Sequence, residues 1–110
     1  MPKLTFISKE KLLEMMENKE EFTLVEVLSE DSYKAGHLPF AVNIPVKNIA
    51  ELAAQKLPNK SATIVVYCGS FTCLASTNAA RKLQELGYTK VLDYKGGKKD
   101  WQDAGLPIEQ

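Results

Sequence analysis

Two cysteines five positions apart, Cys68 and Cys73, are the residues of this 110-residue chain best placed for chemistry. Cys68 ends an apolar, β-branched run at residues 64–67, and a short loop of small residues separates it from a helical pattern. A thiol at the end of a strand faces the next helix N-terminus, where N–H groups and the helix dipole favour negative charge. The pattern predicts a nucleophilic Cys68 whose pKa lies well below the ordinary thiol value of ~8.5.

Two other ionisable residues, His37 and Glu26, are candidates for a role beside this nucleophile. His37 is the only histidine, and its ordinary pKa lies near neutrality, so it is a candidate general base for Cys68. Its position in a turn after Gly36 favours hydrogen bonds to backbone carbonyls instead. Glu26 lies in an apolar stretch at residues 23–28, where a carboxylate must be paired. It either braces a neighbouring loop, which we favour, or belongs to the rim of the site.

The composition narrows the class of protein. Fourteen basic residues balance fourteen acidic ones, which gives no indication of a nucleic-acid or membrane partner. A hydrophobic content of 45% and a charged content of 25% are typical of a globular protein, and the length predicts one domain over residues 1–110. No leader pattern occurs at the N-terminus and no apolar run approaches the ~18 residues of a membrane span, so we expect a cytoplasmic protein. Two cysteines are too few for a disulfide scaffold.

Strand and helix patterns alternate along the chain. Strands are expected at residues 23–28, at a brief segment within 41–45, at 64–67 and at 90–93, and helices at 9–17, 30–35, 46–57, 75–86 and 98–105. Such alternation predicts a mostly parallel α/β sheet covered on both faces, with ligands bound outside the carboxyl ends of the strands. Cys68, the end of strand 23–28 and the glycine turn at residues 95–97 therefore gather at one edge.

Five separate motifs, in this order and spacing, resemble a single-domain rhodanese. They are Leu-Val-Glu-Val at 24–27, Tyr-Lys-Ala-Gly-His-Leu-Pro at 33–39, Ala-Val-Asn-Ile-Pro at 41–45, Val-Val-Tyr-Cys at 65–68, and Gly-Gly at 96–97 with Trp101 and Gly-Leu-Pro at 105–107. The resemblance implies a rhodanese-like three-layer α/β fold, with a five-stranded, mostly parallel sheet flanked by helices. It also implies sulfurtransferase activity with Cys68 as the nucleophile.

In that chemistry, Cys68 takes a sulfane sulfur from thiosulfate, polysulfide or a protein persulfide and forms a persulfide. It then passes the sulfur to a thiophilic acceptor, which is a thiol, cyanide or a sulfur-accepting protein. Backbone N–H groups can hold the negative charge of the intermediate. The candidates are the amides of Gly69, Ser70, Phe71, Thr72 and Cys73. No metal or organic cofactor is expected.

The loop departs from the common family pattern in its charge. Many members carry an arginine five positions after the nucleophile, where this chain has Cys73, and a second frequent arginine is replaced by Leu28. Arg81 is the only arginine, in the next helix. A cysteine-dependent phosphatase or arsenate reductase is therefore disfavoured, because such enzymes hold an oxyanion with a bidentate arginine. We also expect weak use of thiosulfate and a preference for polysulfide or protein persulfide.

Positive charge near the loop would have to come from Lys95, Lys98 or Lys99, which could equally form a solvated face. Cys73 also has two interpretations. It could attack the Cys68 persulfide as a resolving cysteine, releasing sulfide and leaving a disulfide, or it could be a buried loop residue in place of the arginine. The alternative to a sulfurtransferase is accordingly a non-turnover sulfur carrier or a redox-sensing module that uses the Cys68/Cys73 pair. An intact Cys68 argues against a silent interaction domain.

Overall fold

The computed structural model describes residues 3–110 and contains one five-stranded parallel sheet in the order β1-β5-β4-β2-β3. The strands are β1 (Thr5–Ile7), β2 (Thr23–Glu26), β3 (Val42–Asn43), β4 (Thr63–Tyr67) and β5 (Lys90–Tyr94). This confirms the five-stranded parallel α/β sheet that the resemblance implied. The single domain expected over residues 1–110 includes Met1 and Pro2, which lie outside the described residues.

Five α-helices connect and cover the strands: α1 (Lys9–Glu17), α2 (Glu30–Ala35), α3 (Ile49–Lys56), α4 (Ala75–Glu85) and α5 (Gly97–Asp103). The starts of α1 and α2 were predictable, because the hydroxyls of Ser8 and Ser29 accept hydrogen bonds from backbone amides three residues on. The segment expected to be one helix over 46–57 begins as a 3₁₀ turn at Val46–Asn48 before α3. Among residues 3–110, no helix has the length and apolarity needed to cross a membrane.

The central strand β4 is buried on both faces of the sheet. Val66 packs into the core formed with α3 and α4, while Val65 and Tyr67 face the core formed with α1 and α5. Trp101 is the expected anchor of the second core, since it is buried and its indole N–H donates to the Pro107 carbonyl at 2.7 Å. A strand covered on both faces has a continuous apolar run of residues, which is why β4 could be predicted from the sequence.

One strand was missed from the sequence. No strand was expected before residue 23, whereas β1 pairs in parallel with β5 through Thr5, Phe6 and Ile7. Three residues at a sheet edge are too few to show a period of two, and Phe6 stays 55% exposed. The strand expected at residues 23–28, which is β2, is two residues shorter than predicted and ends at Glu26.

Candidate active site at the end of strand β4

Cys68 directly follows β4, which is hydrogen-bonded to β2 on one side and to β5 on the other. Its side chain is buried, and its thiol donates to the carbonyl oxygen of Cys73 at 3.5 Å. Ser76, buried in the first turn of α4, provides a backbone amide and a hydroxyl that favour the Cys68 thiolate. The sequence reasoning gave Ser76 no role, although its place in the first turn after the loop was a usable signal.

The segment from Cys68 to Leu74, called here the cysteine loop, leaves most of its early amides free. Among the described residues, the N–H groups of Gly69, Ser70, Phe71 and Thr72 donate to no backbone carbonyl. The Cys73 amide instead closes a turn by donating to the Ser70 carbonyl at 3.1 Å. Four of the five amides expected to hold an anion therefore make no backbone hydrogen bond, although the Gly69 amide also acts on the Cys73 sulfur, and the fifth amide is engaged within the loop.

The first residues of the cysteine loop are held by the first turn of α5. The amides of Lys98 and Lys99 donate to the carbonyls of Cys68 and Gly69 at 3.0 and 2.8 Å. Gly97 lies against Cys68 with a φ of +65°, and a Cβ at this position would collide with the Cys68 carbonyl. The glycine is thus required both by its backbone conformation and by this close approach.

The three lysines near the loop have three different roles. The Lys95 ammonium donates to the carbonyl of Cys73 and so brings positive charge to the far end of the cysteine loop. The Lys98 ammonium lies 3.1 Å from Glu26 Oε2 and also donates to the Ser32 carbonyl at 2.7 Å. Lys99 is exposed and pairs with Asp103. Among these lysines, Lys95 contacts the loop through its ammonium.

Glu26 is the brace that we favoured from the sequence. Its Oε1 accepts a 2.8 Å hydrogen bond from the Tyr67 hydroxyl, which itself accepts from the Leu38 amide at 3.1 Å. Its Oε2 forms the ion pair with Lys98, without the alignment of a hydrogen bond. Burial raises the pKa of Glu26 and outweighs the lowering by Tyr67 and Lys98. We call Glu26, Tyr67 and Lys98 the paired cluster.

His37 makes structural contacts rather than contacts with Cys68. Its Nδ1–H donates to the Tyr33 carbonyl at 2.9 Å, and its ring stacks on Tyr33 with centroids 3.8 Å apart. Its Nε2 lies 4.0 Å from the Glu109 carboxylate. These contacts support the expectation that a histidine in this turn bonds to backbone carbonyls. Among residues 3–110, no group of three His, Cys, Asp or Glu side chains is placed to hold a metal ion.

The pKa order of the two thiols differs from the prediction. Burial raises the pKa of Cys68, and the adjoining Cys73 sulfur raises it further, which outweighs the contribution of Ser76. At Cys73 burial also raises the pKa, but the Cys68 thiol, the amides of Gly69 and Ala75, and the Lys95 charge together lower it. The pKa of Cys68 is therefore shifted in the opposite direction from the expected lowering, because burial and the neighbouring Cys73 outweigh Ser76.

Comparison with known proteins agrees with this architecture. Residues 8–104 match the family model of the rhodanese-like domain, and the chain belongs to that family. It is similar to the HTH-type transcriptional regulator Rv0324 of Mycobacterium tuberculosis, with 34% identity over 82% of this chain but 38% of that protein. It is also similar to the thiosulfate sulfurtransferase PspE of Escherichia coli, with 37% identity over 69% of this chain and 70% of that one.

A solved structure shows the same fold over nearly the whole chain. The BH2092 protein of Bacillus halodurans superimposes with a TM-score of 0.88 at 28% identity, covering 96% of this chain and 76% of that one. Family membership, together with relatives of the PspE kind, makes the chain a sulfurtransferase of the rhodanese type.

Proposed function

We propose that the protein transfers a sulfane sulfur from thiosulfate, polysulfide or a protein persulfide to a thiophilic acceptor through a persulfide on Cys68. The observation that carries the proposal is the cysteine loop itself: a thiol at the end of β4 beside four amides, Gly69 to Thr72, that donate to no backbone carbonyl. Donors arranged in this way stabilise an anion formed at the thiol. The name of PspE supports thiosulfate as one donor class.

The reaction divides into two sulfur transfers. In the first, the Cys68 thiolate attacks the sulfane sulfur of the donor, and the donor remnant leaves, as sulfite does from thiosulfate. The outer sulfur of the persulfide then carries negative charge beside the loop amides and the Lys95 ammonium. In the second, a thiol, cyanide or a sulfur-accepting protein attacks that outer sulfur, and Cys68 leaves as a thiolate.

The charge of the loop determines the expected donor. A guanidinium in the loop would bind the three sulfonate oxygens of thiosulfate, whereas a single ammonium from Lys95 provides a weaker, less directional contact. We therefore expect a lower kcat/KM for thiosulfate than for polysulfide. Measuring both values with the same acceptor tests this expectation, and a clear preference for thiosulfate would contradict it.

The formation of the persulfide is tested by substituting Cys68 and by measuring the mass of the protein after exposure to a sulfur donor. Wild-type protein incubated with thiosulfate or polysulfide should gain the mass of one sulfur atom on the peptide that contains Cys68. The Cys68→Ser variant should not gain it, and its sulfur transfer to cyanide should fall by roughly a thousandfold or more, as expected on loss of a nucleophile. Retention of activity by Cys68→Ser would refute the mechanism.

The second candidate function is a non-turnover sulfur carrier or redox-sensing module. It is favoured by the burial of Cys68, which restricts access of acceptors, and by the contact of its thiol with the backbone carbonyl of a second free cysteine, Cys73. A carrier would gain one sulfur per chain and pass it to a protein partner, but it would show no sustained turnover with cyanide. The expected setting for either function is the cytoplasm.

A further inference from the structure

The side chain of Cys73 lies in the part of the cysteine loop where a reactive sulfur would be stabilised. The Cys68 thiol, the Gly69 and Ala75 amides and the Lys95 charge together lower the pKa of Cys73. Its own carbonyl accepts from both the Cys68 thiol and the Lys95 ammonium. The carbonyl contacts would exist with any residue at position 73, whereas the lowered pKa belongs to the thiol itself.

The two thiols are also close enough to react after a small adjustment of the loop. The Cys68 sulfur lies 3.5 Å from the Cys73 carbonyl oxygen, and each thiol shifts the pKa of the other. Phe71 and Leu74 are 65% and 66% exposed, so the outer face of the loop is not packed against the sheet. The segment between the cysteines can therefore shift without disturbing the core.

We propose that Cys73 is a resolving cysteine, which releases the outer sulfur of the Cys68 persulfide as sulfide and leaves a Cys68–Cys73 disulfide. This inference rests on the proposed persulfide and adds a second activity to sulfur transfer. The protein would convert the sulfane sulfur of its donor to hydrosulfide in the absence of an external acceptor.

The steps balance without an additional reagent. The Cys68 proton passes to the Cys73 thiolate as Cys68 attacks the donor, which leaves a Cys68 persulfide anion and a Cys73 thiol. The Cys73 sulfur then attacks the inner sulfur, Cys68 Sγ, and forms the new S–S bond. The bond between the inner and outer sulfurs breaks, and the outer sulfur leaves with its electron pair and the Cys73 proton as HS⁻.

The electron count identifies the oxidant and the product. The sulfane sulfur accepts two electrons and becomes sulfide, while the two cysteines lose two electrons and become a disulfide. A single turnover therefore requires only the donor. Repeated turnover requires a dithiol, which reduces the disulfide by exchange and restores both thiols.

The test is a single-turnover experiment without air and without added thiol. Reduced wild-type protein mixed with one equivalent of thiosulfate or of polysulfide should release close to one sulfide per chain, and its mass should fall by two hydrogen atoms. Cys73→Ser and Cys73→Ala should instead keep the added sulfur and release no sulfide until a dithiol is supplied. Cys68→Ser should do neither.

The outcomes separate this inference from the proposed function. If wild type and Cys73→Ser both keep a stable added sulfur, the resolving role is wrong and the persulfide mechanism stands. If neither wild type nor either Cys73 variant acquires sulfur or releases sulfide, the proposed function itself fails. A disulfide that forms equally fast without donor would reflect adventitious oxidation and would also overturn the resolving role.

Discussion

The paired cluster and the cysteine loop lie at the same edge of the sheet, and their polar groups are used differently. In the paired cluster, Glu26 contacts the Tyr67 hydroxyl and the Lys98 ammonium, and Lys98 also contacts the Ser32 carbonyl. These polar groups are paired with other groups of the protein. In the cysteine loop, four successive amides donate to no backbone carbonyl.

This difference shows that charge at the carboxyl edge of a parallel sheet does not by itself identify a site. The buried carboxylate and its lysine are paired within the protein, so they fix the strand ends to the start of α5. The amides of Gly69 to Thr72 make no backbone hydrogen bond, so they can turn towards an anion. We expect substitutions in the paired cluster to change stability, and substitutions in the loop to change sulfur transfer.

The largest stability effect is expected for Lys98→Met. Removing the ammonium leaves the Glu26 carboxylate buried without its charge partner, which costs about 3–5 kcal/mol when a buried pair is broken on one side. The free energy of unfolding from urea denaturation should fall by this amount. The activity of the molecules that remain folded should change little, since the Lys98 backbone amide still holds the loop.

Lys99→Met is the matched control for that experiment. It removes an exposed lysine whose side chain pairs with Asp103, and the effect on unfolding should stay within the roughly 0.5 kcal/mol typical of surface substitutions. Equal destabilisation by the two substitutions would show that the paired cluster has no special energetic role.

Gly97→Ala tests the contact between the turn and the loop. The new Cβ meets the Cys68 carbonyl, and a φ of +65° disfavours alanine, so we expect a loss of about 2–3 kcal/mol and a marked fall in activity. Gly105→Ala has a similar φ of +73° with nothing within 4 Å, and should cost only about 1 kcal/mol with unchanged activity. Similar activities for both variants would mean that the Gly97 contact does not position Cys68.

Lys95→Met should affect activity more than stability. Loss of the ammonium removes positive charge from the loop, and kcat/KM for thiosulfate should fall about tenfold, which corresponds to ~1.4 kcal/mol. The loss should shrink at high ionic strength, because added salt screens the contribution in wild type. If Lys99→Met has the same effect, general surface charge rather than the Lys95 contact attracts the donor.

The smallest expected effect is a change in the pH dependence of the thiols. Cys73 raises the pKa of Cys68, so the Cys68 thiol of Cys73→Ser should ionise at lower pH than in wild type. Cys68 lowers the pKa of Cys73, so the Cys73 thiol of Cys68→Ser should ionise at higher pH. Thiolate absorbance measured against pH should show the two values moving towards each other, and an unchanged gap would exclude coupling between the thiols.

The sequence predicted the structure correctly where a single local pattern determines the conformation of the segment. The apolar run before Cys68 predicted the central strand, helical patterns at residues 9–17 and 30–35 predicted α1 and α2, and the glycine pair predicted the turn that leads into α5. Glu26 was correctly expected to need a partner, because a lone buried carboxylate is unstable.

The sequence did not predict contacts and pKa shifts that depend on where side chains point in the assembled fold. Lys95 and Lys98 lie three residues apart in one turn, yet one ammonium meets the loop and the other a buried carboxylate. The direction of the Cys68 pKa shift was predicted wrongly for the same reason. Strand position favours a thiolate at Cys68, but burial and the neighbouring Cys73 sulfur are tertiary effects that outweigh it.

The strand order also determines when the loop can take its shape during synthesis. A ribosome produces the N-terminal part first, yet β1 pairs with β5, the last strand to emerge. The groups that hold the cysteine loop, at Lys95, Lys98 and Lys99, are made later than both cysteines. A nascent chain that stops before residue 90 therefore carries both thiols on a segment that lacks its stabilising contacts. In the complete chain, the cysteine loop takes its shape only after the final strand has joined the sheet.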